Sequence, residues 1–349
     1  MIQINRRTAS WTVAALTALL AVGCAGGGGG QQGPKPLKVP PRAPNAPAVP
    51  PVQHVQVDPQ LQVSARQEIQ QAFASNDPVL RANAIEAAQN AFDAAAARQM
   101  ILSGLGDSHG VVRFAAAMAA GKLRLREAYK PLLALVNDRD VRVRVGVRYA
   151  LHRLGDTRFS HDLERTAQDP SKYIRADTAM VLGLLNEPSA LKILRQMQND
   201  DESIVRIQVA EAMWRLGDEQ GLESLTAASI SKFADDQIIA TQAMAGPRDR
   251  RVLEHLRGKL TSDWAEIGLV AARAMGELGS DEGYGVAVNG TRSADVRQKS
   301  LAALAFGAIG RADAQTHLAP LLRDPNPGVR LASATGILQL GRSTYTQSE

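Results

Sequence analysis

Aromatic residues are scarce in this chain of 349 residues: Phe, Trp and Tyr make up 4%, although 45% of all residues are hydrophobic. A folded core must therefore consist mainly of Ala, Leu, Val and Ile side chains. Ala and Leu have high helix propensity, whereas β-sheets are enriched in aromatic and β-branched residues. The composition favours closely packed helices over sandwiches of strands.

Cysteine is almost absent, since Cys24 is the only one. A positively charged segment with Arg6 and Arg7 lies upstream of it, followed by an apolar stretch over residues 11–22. This stretch is too short for a comfortable membrane span and has the length of the apolar part of a cleaved signal peptide. A single cysteine also excludes an internal disulfide.

The residues Ala21-Val22-Gly23-Cys24 resemble the lipobox of bacterial lipoproteins. The resemblance implies cleavage before Cys24 and acylation of its thiol, for instance with palmitate. Two or three acyl chains hold a protein on a membrane far more firmly than one. Because Ala25 rather than Asp follows, the Gram-negative sorting rule implies an outer-membrane anchor facing the periplasm. The inner membrane, the cell surface and an ordinary secretory signal are the alternatives.

The distribution of charge argues against nucleic-acid binding. The net charge is +5, from 40 basic and 35 acidic residues. Five of the basic and one of the acidic residues lie within residues 1–59, which leaves 35 basic and 34 acidic residues in the remainder. A nucleic-acid-binding body would carry a basic excess there. We therefore expect protein partners, and contact with a membrane through the lipid anchor only.

A flexible tether follows the cysteine. Residues 26–30 are five glycines, and residues 34–52 contain eight of the 17 prolines. Proline-rich segments favour the extended polyproline II conformation, which suits a spacer. The predicted order is a signal peptide (1–23), the lipidated cysteine with its tether (24–59), an N-terminal capping helix (60–75), a repeat domain (76–342) and a C-terminal tail (343–349).

From about residue 60 onwards the sequence repeats every 31 residues, which is the separation of Arg113 from Arg144. An Arg column recurs with this step, and an Asp column recurs six residues before it. Asp is suited to cap a helix N-terminus, and apolar columns three to four residues apart define helix faces. The two polar columns, called the ladder below, consist of Asp107, Arg113, Asp138, Arg144, Asp169, Arg175, Asp200, Arg206, Asp324 and Arg330.

The sequence DPSKYIR at residues 169–175, followed by Ala179, Leu182 and Leu185, resembles a HEAT repeat. The short period is similar to that of the subgroup first described in phycobilisome lyases. The resemblance implies an all-α fold, a right-handed α-solenoid of about eight to nine paired-helix repeats, each burying its apolar face against its neighbours. Eight such units would span roughly 80 Å. It also implies that each ladder Arg binds the Asp or the backbone carbonyls of an adjoining turn. The alternative is that the row of Arg side chains binds an acidic ligand.

No catalytic residue, metal ligand, cofactor or small-molecule substrate is predicted. The six histidines are followed by Val, Gly, Arg, Asp or Leu, so the chain lacks the His-Glu dipeptides with which the HEAT-like enzyme deoxyhypusine hydroxylase holds iron. The principal hypothesis is a protein that is not an enzyme: a lipid-anchored envelope scaffold or adaptor binding protein partners through its repeat surface. The alternative is an enzyme-associated or cofactor-handling HEAT-like solenoid of the lyase or hydroxylase type.

Two adjacent repeats depart from the pattern and supply candidate partner-binding residues. Phe233 and Trp264 stand in a column that is polar in the other repeats. Adjacent exposed aromatics would be a natural binding anchor, but the interpretation that we favour is that both rings tuck inward. Trp214 is a third candidate. Because both repeats lack the ladder Arg, and the first of them contains the pair Gly246-Pro247, residues 231–292 are predicted to be the least stable part.

Overall fold

The computed structural model describes residues 55–92 and 94–341, and every regular element in these ranges is helical. The predicted fold class, an α-solenoid of paired helices, is confirmed. Within the described ranges, none of the helices has both the length and the apolar character needed to cross a membrane. The α-helices are α1 (Pro59–Phe73), α2 (Pro78–Ala91), α3 (Ala94–Leu105), α4 (Gly110–Lys122), α5 (Tyr129–Ala134), α6 (Val141–Arg153), α7 (Asp162–Thr166), α8 (Lys172–Leu185), α9 (Leu191–Met197), α10 (Ser203–Arg215), α11 (Glu219–Ala228), α12 (Ala234–Ala243), α13 (Leu253–Lys259), α14 (Ala265–Glu277), α15 (Tyr284–Thr291), α16 (Val296–Ile309), α17 (Ala314–Leu321) and α18 (Pro327–Leu340).

Short polar side chains begin several of the even-numbered helices. An Oδ1 atom of Asp140 accepts a hydrogen bond from the backbone N–H of Arg142, at 2.9 Å. The ladder aspartates lie two residues earlier: Asp138 Oδ1 accepts the backbone N–H of Asp140, at 2.8 Å. The N-cap role predicted for the Asp column is therefore wrong, because these side chains fix the turn before the helix rather than its first residue.

The even-numbered helices pack closely side by side, whereas consecutive odd-numbered helices scarcely touch. Gly183 in α8 shows how close this packing is, since a Cβ atom there would lie 2.7 Å from the Cα of Ala212 in α10. Gly276 in α14 would place a Cβ 2.7 Å from the backbone N of Ile309 in α16. Only glycine permits such an approach. The array therefore curves with the even-numbered helices inside, and we call them the inner helices and the others the outer helices.

The two ends of the array meet. Helix α18 packs against both α1 and α2, and Arg330 Nε donates to Glu68 Oε1 at 2.9 Å. Helix α1 therefore serves as the outer partner of α18, and the described residues form a ring of nine helix pairs. The open, extended array that we expected is not formed, because the close approach of the inner helices bends the array until it closes.

The apolar core continues across this junction. Ile69 of α1, Ile85 of α2 and Ile337 of α18 are all completely buried in one cluster. The outer helices contribute one recurring apolar column that points inward, and its members are buried: Ile101, Leu132, Leu163, Leu194, Leu225, Leu256, Ala287 and Leu318. A core of small aliphatic side chains agrees with the low aromatic content of the sequence.

Helix α12 is the irregular member of the ring. It has 10 residues, whereas the other inner helices have 13 or 14. The chain leaves it through Gly246 and Pro247, and Arg248 then adopts a left-handed backbone conformation with φ of 57°. In α10, the preceding inner helix, Trp214 occupies the position that Gly183 has in α8. A bulky ring at this position cannot allow the close approach seen elsewhere, and the predicted weakness of residues 231–292 stays a prediction.

Candidate functional site

At several positions the ladder joins one repeat to the next. Arg113 donates through Nε and Nη2 to both carboxylate oxygens of Asp138, at 2.8 Å each, and through Nη1 to the carbonyl oxygen of Asp107 at 2.8 Å. Arg175 repeats this arrangement with Asp200, at 2.6 and 2.7 Å. The hydrogen bond from Arg175 is the main cause that lowers the pKa of Asp200. These guanidinium groups are engaged internally, so they are not available to grip an acidic ligand.

The ladder has individual variations along the ring. Arg81, which lies outside the predicted column, binds Asp107 at 2.8 Å, and Lys299 takes the Arg position and binds Asp324 at 2.8 Å. Arg144 and Arg206 hold the backbone carbonyls of Asp138 and Asp200 in their own turns. In addition to its ion pair with Glu68 across the junction, Arg330 donates to the carbonyl of Asp324. The backbone N–H of Ser171 donates to Asp169.

The inner helices present one face to the axis of the ring. On α10 this axial face consists of Ile204, Gln208, Glu211 and Arg215, which are four, three and four residues apart and therefore lie on one side of the helix. Nine helices spaced 8–10 Å apart place the helix axes about 13 Å from the centre. Long side chains can then reach across the remaining space.

Charged groups from different sides of the ring interact at its centre. Lys122 ends α4, and Glu277 ends α14 on the opposite side of the ring. Solvent reaches Lys122, but protein surrounds it closely enough for burial to lower its pKa, against the opposing effect of Glu86 and Glu277. Burial raises the pKa of Glu86 in α2 to about 7, although Lys122 and Arg273 act in the opposite direction. These groups therefore share one enclosed space.

Several polar atoms on the axial face are buried without a hydrogen-bond partner in the described part of the chain. Gln208 is 1% exposed, and neither atom of its amide group has a partner. Three further atoms on this face are likewise buried without a hydrogen-bond partner among the described residues: Glu211 Oε2, Arg153 Nε and Arg273 Nη1. Burying a polar group without a partner is costly. The axial face is therefore the strongest candidate for a ligand site, and the sequence analysis missed it.

The aromatic residues Phe233 and Trp264 lie at the end of the ring where the inner helices begin, which we call the rim. Their exposed fractions are 58% and 49%. Each is the N-cap residue of its helix, α12 or α14, and neither helix has a side-chain cap. The interpretation that both rings tuck inward is wrong, because an extended N-cap residue directs its side chain away from the core. Lys232 lies over the ring of Phe233, 5.0 Å from its centroid.

Trp214 lies elsewhere. Its side chain is 4% exposed and packs in a core cluster with Leu222 and Leu225 of α11. Trp214, the third candidate for partner binding, is therefore a core residue and is not placed to contact a partner. Cys24, the signal peptide, residues 25–54 of the tether and the C-terminal tail lie outside the described residues. Within the last tether residues, Val57 is buried in the core and Pro59 already begins α1.

Comparison with known protein families identifies the repeats. The family described as HEAT repeats matches residues 67–152 and 162–245. These two stretches of the chain contain HEAT repeats. Deoxyhypusine hydroxylase of Phaeosphaeria nodorum is 38% identical over 78 residues, which are 22% of this HEAT-repeat chain and 22% of that relative. The chain thus matches about a fifth of the length of this curated relative.

Solved structures with a similar arrangement have low sequence identity. Human deoxyhypusine hydroxylase in complex with glycerol is 18% identical, with 69% of this chain and 95% of that chain covered and a TM-score of 0.39. The complex of CpcE and CpcF of phycocyanin lyase from Nostoc sp. PCC7120 is also 18% identical, with 68% and 92% covered and a TM-score of 0.39. The karyopherin Kap121p is 14% identical, with 79% and 37% covered and a TM-score of 0.35.

The comparisons correct one prediction. The sequence analysis expected a protein that is not an enzyme, but the curated relative with significant similarity is an enzyme, deoxyhypusine hydroxylase. The described residues do not fit the iron site of that enzyme, because no three His, Cys, Asp or Glu side chains in this part of the chain are placed to hold a metal ion.

Proposed function

We propose that this HEAT-repeat ring serves an enzymatic reaction of the hydroxylase or lyase type by holding a protein partner on its rim. The single observation that carries this proposal is the exposure of Phe233 and Trp264 at equivalent positions of adjacent repeats. The similarity to deoxyhypusine hydroxylase supports the enzymatic setting. Because that similarity covers a fifth of either chain, the reaction itself is part of the proposal.

The surroundings of the two rings indicate what kind of partner they suit. Neighbouring inner helices lie 8–10 Å apart, so one extended segment of about three residues could contact both rings. Half-exposed aromatics at adjacent positions are typical anchors of protein interfaces. Asp263 is exposed beside Trp264, whereas Asp235 pairs with Arg297 at 3.9 Å and Lys232 lies over the ring of Phe233. Because the neighbouring charges are of both signs, the two rings favour a partner segment with apolar side chains.

Photo-crosslinking tests the binding surface. A photoreactive residue introduced at position 233 or 264 of the full-length protein should crosslink one defined protein in native cells. The matched control is position 63, because Val63 is 54% exposed but lies on α1, on another part of the ring. Phe233→Ala with Trp264→Ala should abolish capture of that protein. Equal capture through position 63, or by the double variant, would refute the rim as the interface.

Mass spectrometry then tests the enzymatic setting. The captured partner, isolated from cells with and without this HEAT-repeat protein, should differ in mass by a covalent modification. The Phe233→Ala, Trp264→Ala variant should leave the partner as unmodified as the deletion does. An identical partner mass in all strains would leave a binding protein without a role in modification and would contradict this part of the proposal.

A second candidate function, that of an envelope scaffold, depends on Cys24. We propose that its acylation attaches the ring to the outer membrane, because the residues before it resemble a lipobox. Labelling with an alkyne fatty acid should mark the wild type and leave Cys24→Ser unmarked, and the wild type should sediment with outer-membrane fractions. Equal labelling of both proteins would exclude this anchor.

A further inference from the structure

Cations gather at the end of the ring where the inner helices terminate. Lys122, Arg153 and Arg215 are the last residues of α4, α6 and α10. Arg273 lies four residues before the end of α14, and two more cations follow inner helices in the turns, Arg124 after α4 and Arg248 after α12. The axial face also carries three carboxylates at this end, Glu86, Glu211 and Glu277. The six cations therefore outnumber the carboxylates.

These groups surround one common space. Lys122 Nζ donates to Asn90 of the neighbouring inner helix at 2.7 Å, and its pKa responds to charges on α2 and α14 and to Arg248. Burial raises the pKa of the Tyr149 hydroxyl in α6, and the arginines at positions 124, 153 and 215 oppose this increase. The charges thus act on one another from helices that are not neighbours in the ring.

The carboxylates do not satisfy all the donors. Arg273 donates through Nε to Glu277 at 2.8 Å. Its Nη1 atom and Nε of Arg153 are buried without a hydrogen-bond partner among residues 55–92 and 94–341. Arg215 binds Glu211 and the carbonyl of Gly246. On the same face, the amide group of Gln208, 1% exposed, has no hydrogen-bond partner within the described part of the chain. An anion with several oxygen atoms could accept hydrogen bonds from these groups together.

We propose that this end of the ring axis is a binding site for a small multivalent anion that carries carboxylate or phosphate groups. Guanidinium groups bind both kinds of oxyanion through two parallel hydrogen bonds. The ligand must be small, because the axes of the inner helices lie only about 13 Å from the centre of the ring and their side chains occupy part of that space. A cation at a helix C-terminus is also favoured by the helix dipole alone. Stabilisation of the helix ends requires no ligand, whereas an anion site does. Binding measurements therefore distinguish the two explanations for the cations.

Calorimetric titration of the full-length protein with inorganic pyrophosphate and, separately, with citrate tests the site and distinguishes phosphate from carboxylate. We expect binding that weakens as NaCl is added, because the contacts are ionic. Arg153→Gln should weaken binding about ten-fold, since a charge-assisted hydrogen bond is lost. Glu277→Gln should strengthen it, because a carboxylate competing for Arg273 is removed. Arg165→Gln is the matched control, since Arg165 is 71% exposed on outer helix α7.

Circular dichroism checks that each variant is folded, and Arg153→Gln is the safest of them because no hydrogen bond of the ring depends on that Nε atom. The Phe233→Ala, Trp264→Ala variant should bind the anion as tightly as the wild type. The anion site is therefore tested independently of the proposed partner-binding rim. If neither anion binds, or if Arg165→Gln weakens binding as much as Arg153→Gln, the cations serve only the helix ends and the proposal is refuted.

Discussion

Replacing Gly183 with alanine should loosen the ring, and the size of the effect follows from its geometry. The new Cβ would lie 2.7 Å from Ala212 Cα and 2.8 Å from Ala212 Cβ, whereas carbon atoms in ordinary contact are about 3.5–4.0 Å apart. Helices α8 and α10 must therefore separate by roughly 1 Å. Overpacking of this kind costs about 1–3 kcal/mol, which outweighs the gain of up to about 1 kcal/mol in helix propensity.

Gly258→Ala is the matched control, because Gly258 lies in outer helix α13 and a Cβ there would meet nothing within 4 Å. This variant should gain about 0.5–1 kcal/mol from helix propensity alone. Urea denaturation followed by circular dichroism should move the midpoint down for Gly183→Ala and up for Gly258→Ala. If both midpoints rise together, the inner helices do not approach as closely as described and our account of the curvature fails.

Three further predictions concern stability. Arg175→Ala should destabilise the protein by about 1–3 kcal/mol in urea denaturation, because Asp200 loses its charged partner; a smaller loss would mean that the ladder contributes little. Burial holds the pKa of His255 at about 4, against 6.5 in the unfolded chain, so stability should fall as the pH decreases from about 6.5 to about 4. His255→Gln should remove about 3 kcal/mol of that decrease, and an unchanged pH profile would contradict this. Hydrogen exchange should be faster in residues 231–292 than in residues 138–216; uniform protection would refute the weak segment.

The sequence predicted those features that recur in every repeat. The ladder could be recognised because its Asp and Arg columns keep a constant spacing, and the resemblance to HEAT repeats then indicated that Arg113 and Arg175 bind internally. The buried outer-helix column was visible for the same reason. Its members are nearly all Leu or Ile, because each faces the same kind of apolar environment.

Features that depend on differences between repeats could not be predicted in this way. The axial face holds Glu86 in one repeat and Arg273 in another, so it forms no column. The ion pair of Glu68 with Arg330 joins residues that are 262 positions apart, and no periodicity indicates such a pair. The exposure of Trp264 depends on its place at an N-cap, which the sequence placed two residues too early in each repeat.

Closure fixes the number of repeats. In an open solenoid, one unit can be added or lost at moderate cost, since each contacts only its neighbours. Here nine helix pairs share one full turn, so each accounts for about 40°. Loss of one unit would require every remaining junction to bend by about 5° more, and the contacts at glycines such as Gly276 leave little room for that. A duplication or deletion of one whole repeat, which an open array would tolerate, should therefore separate α1 from α18 and expose the apolar surface between them.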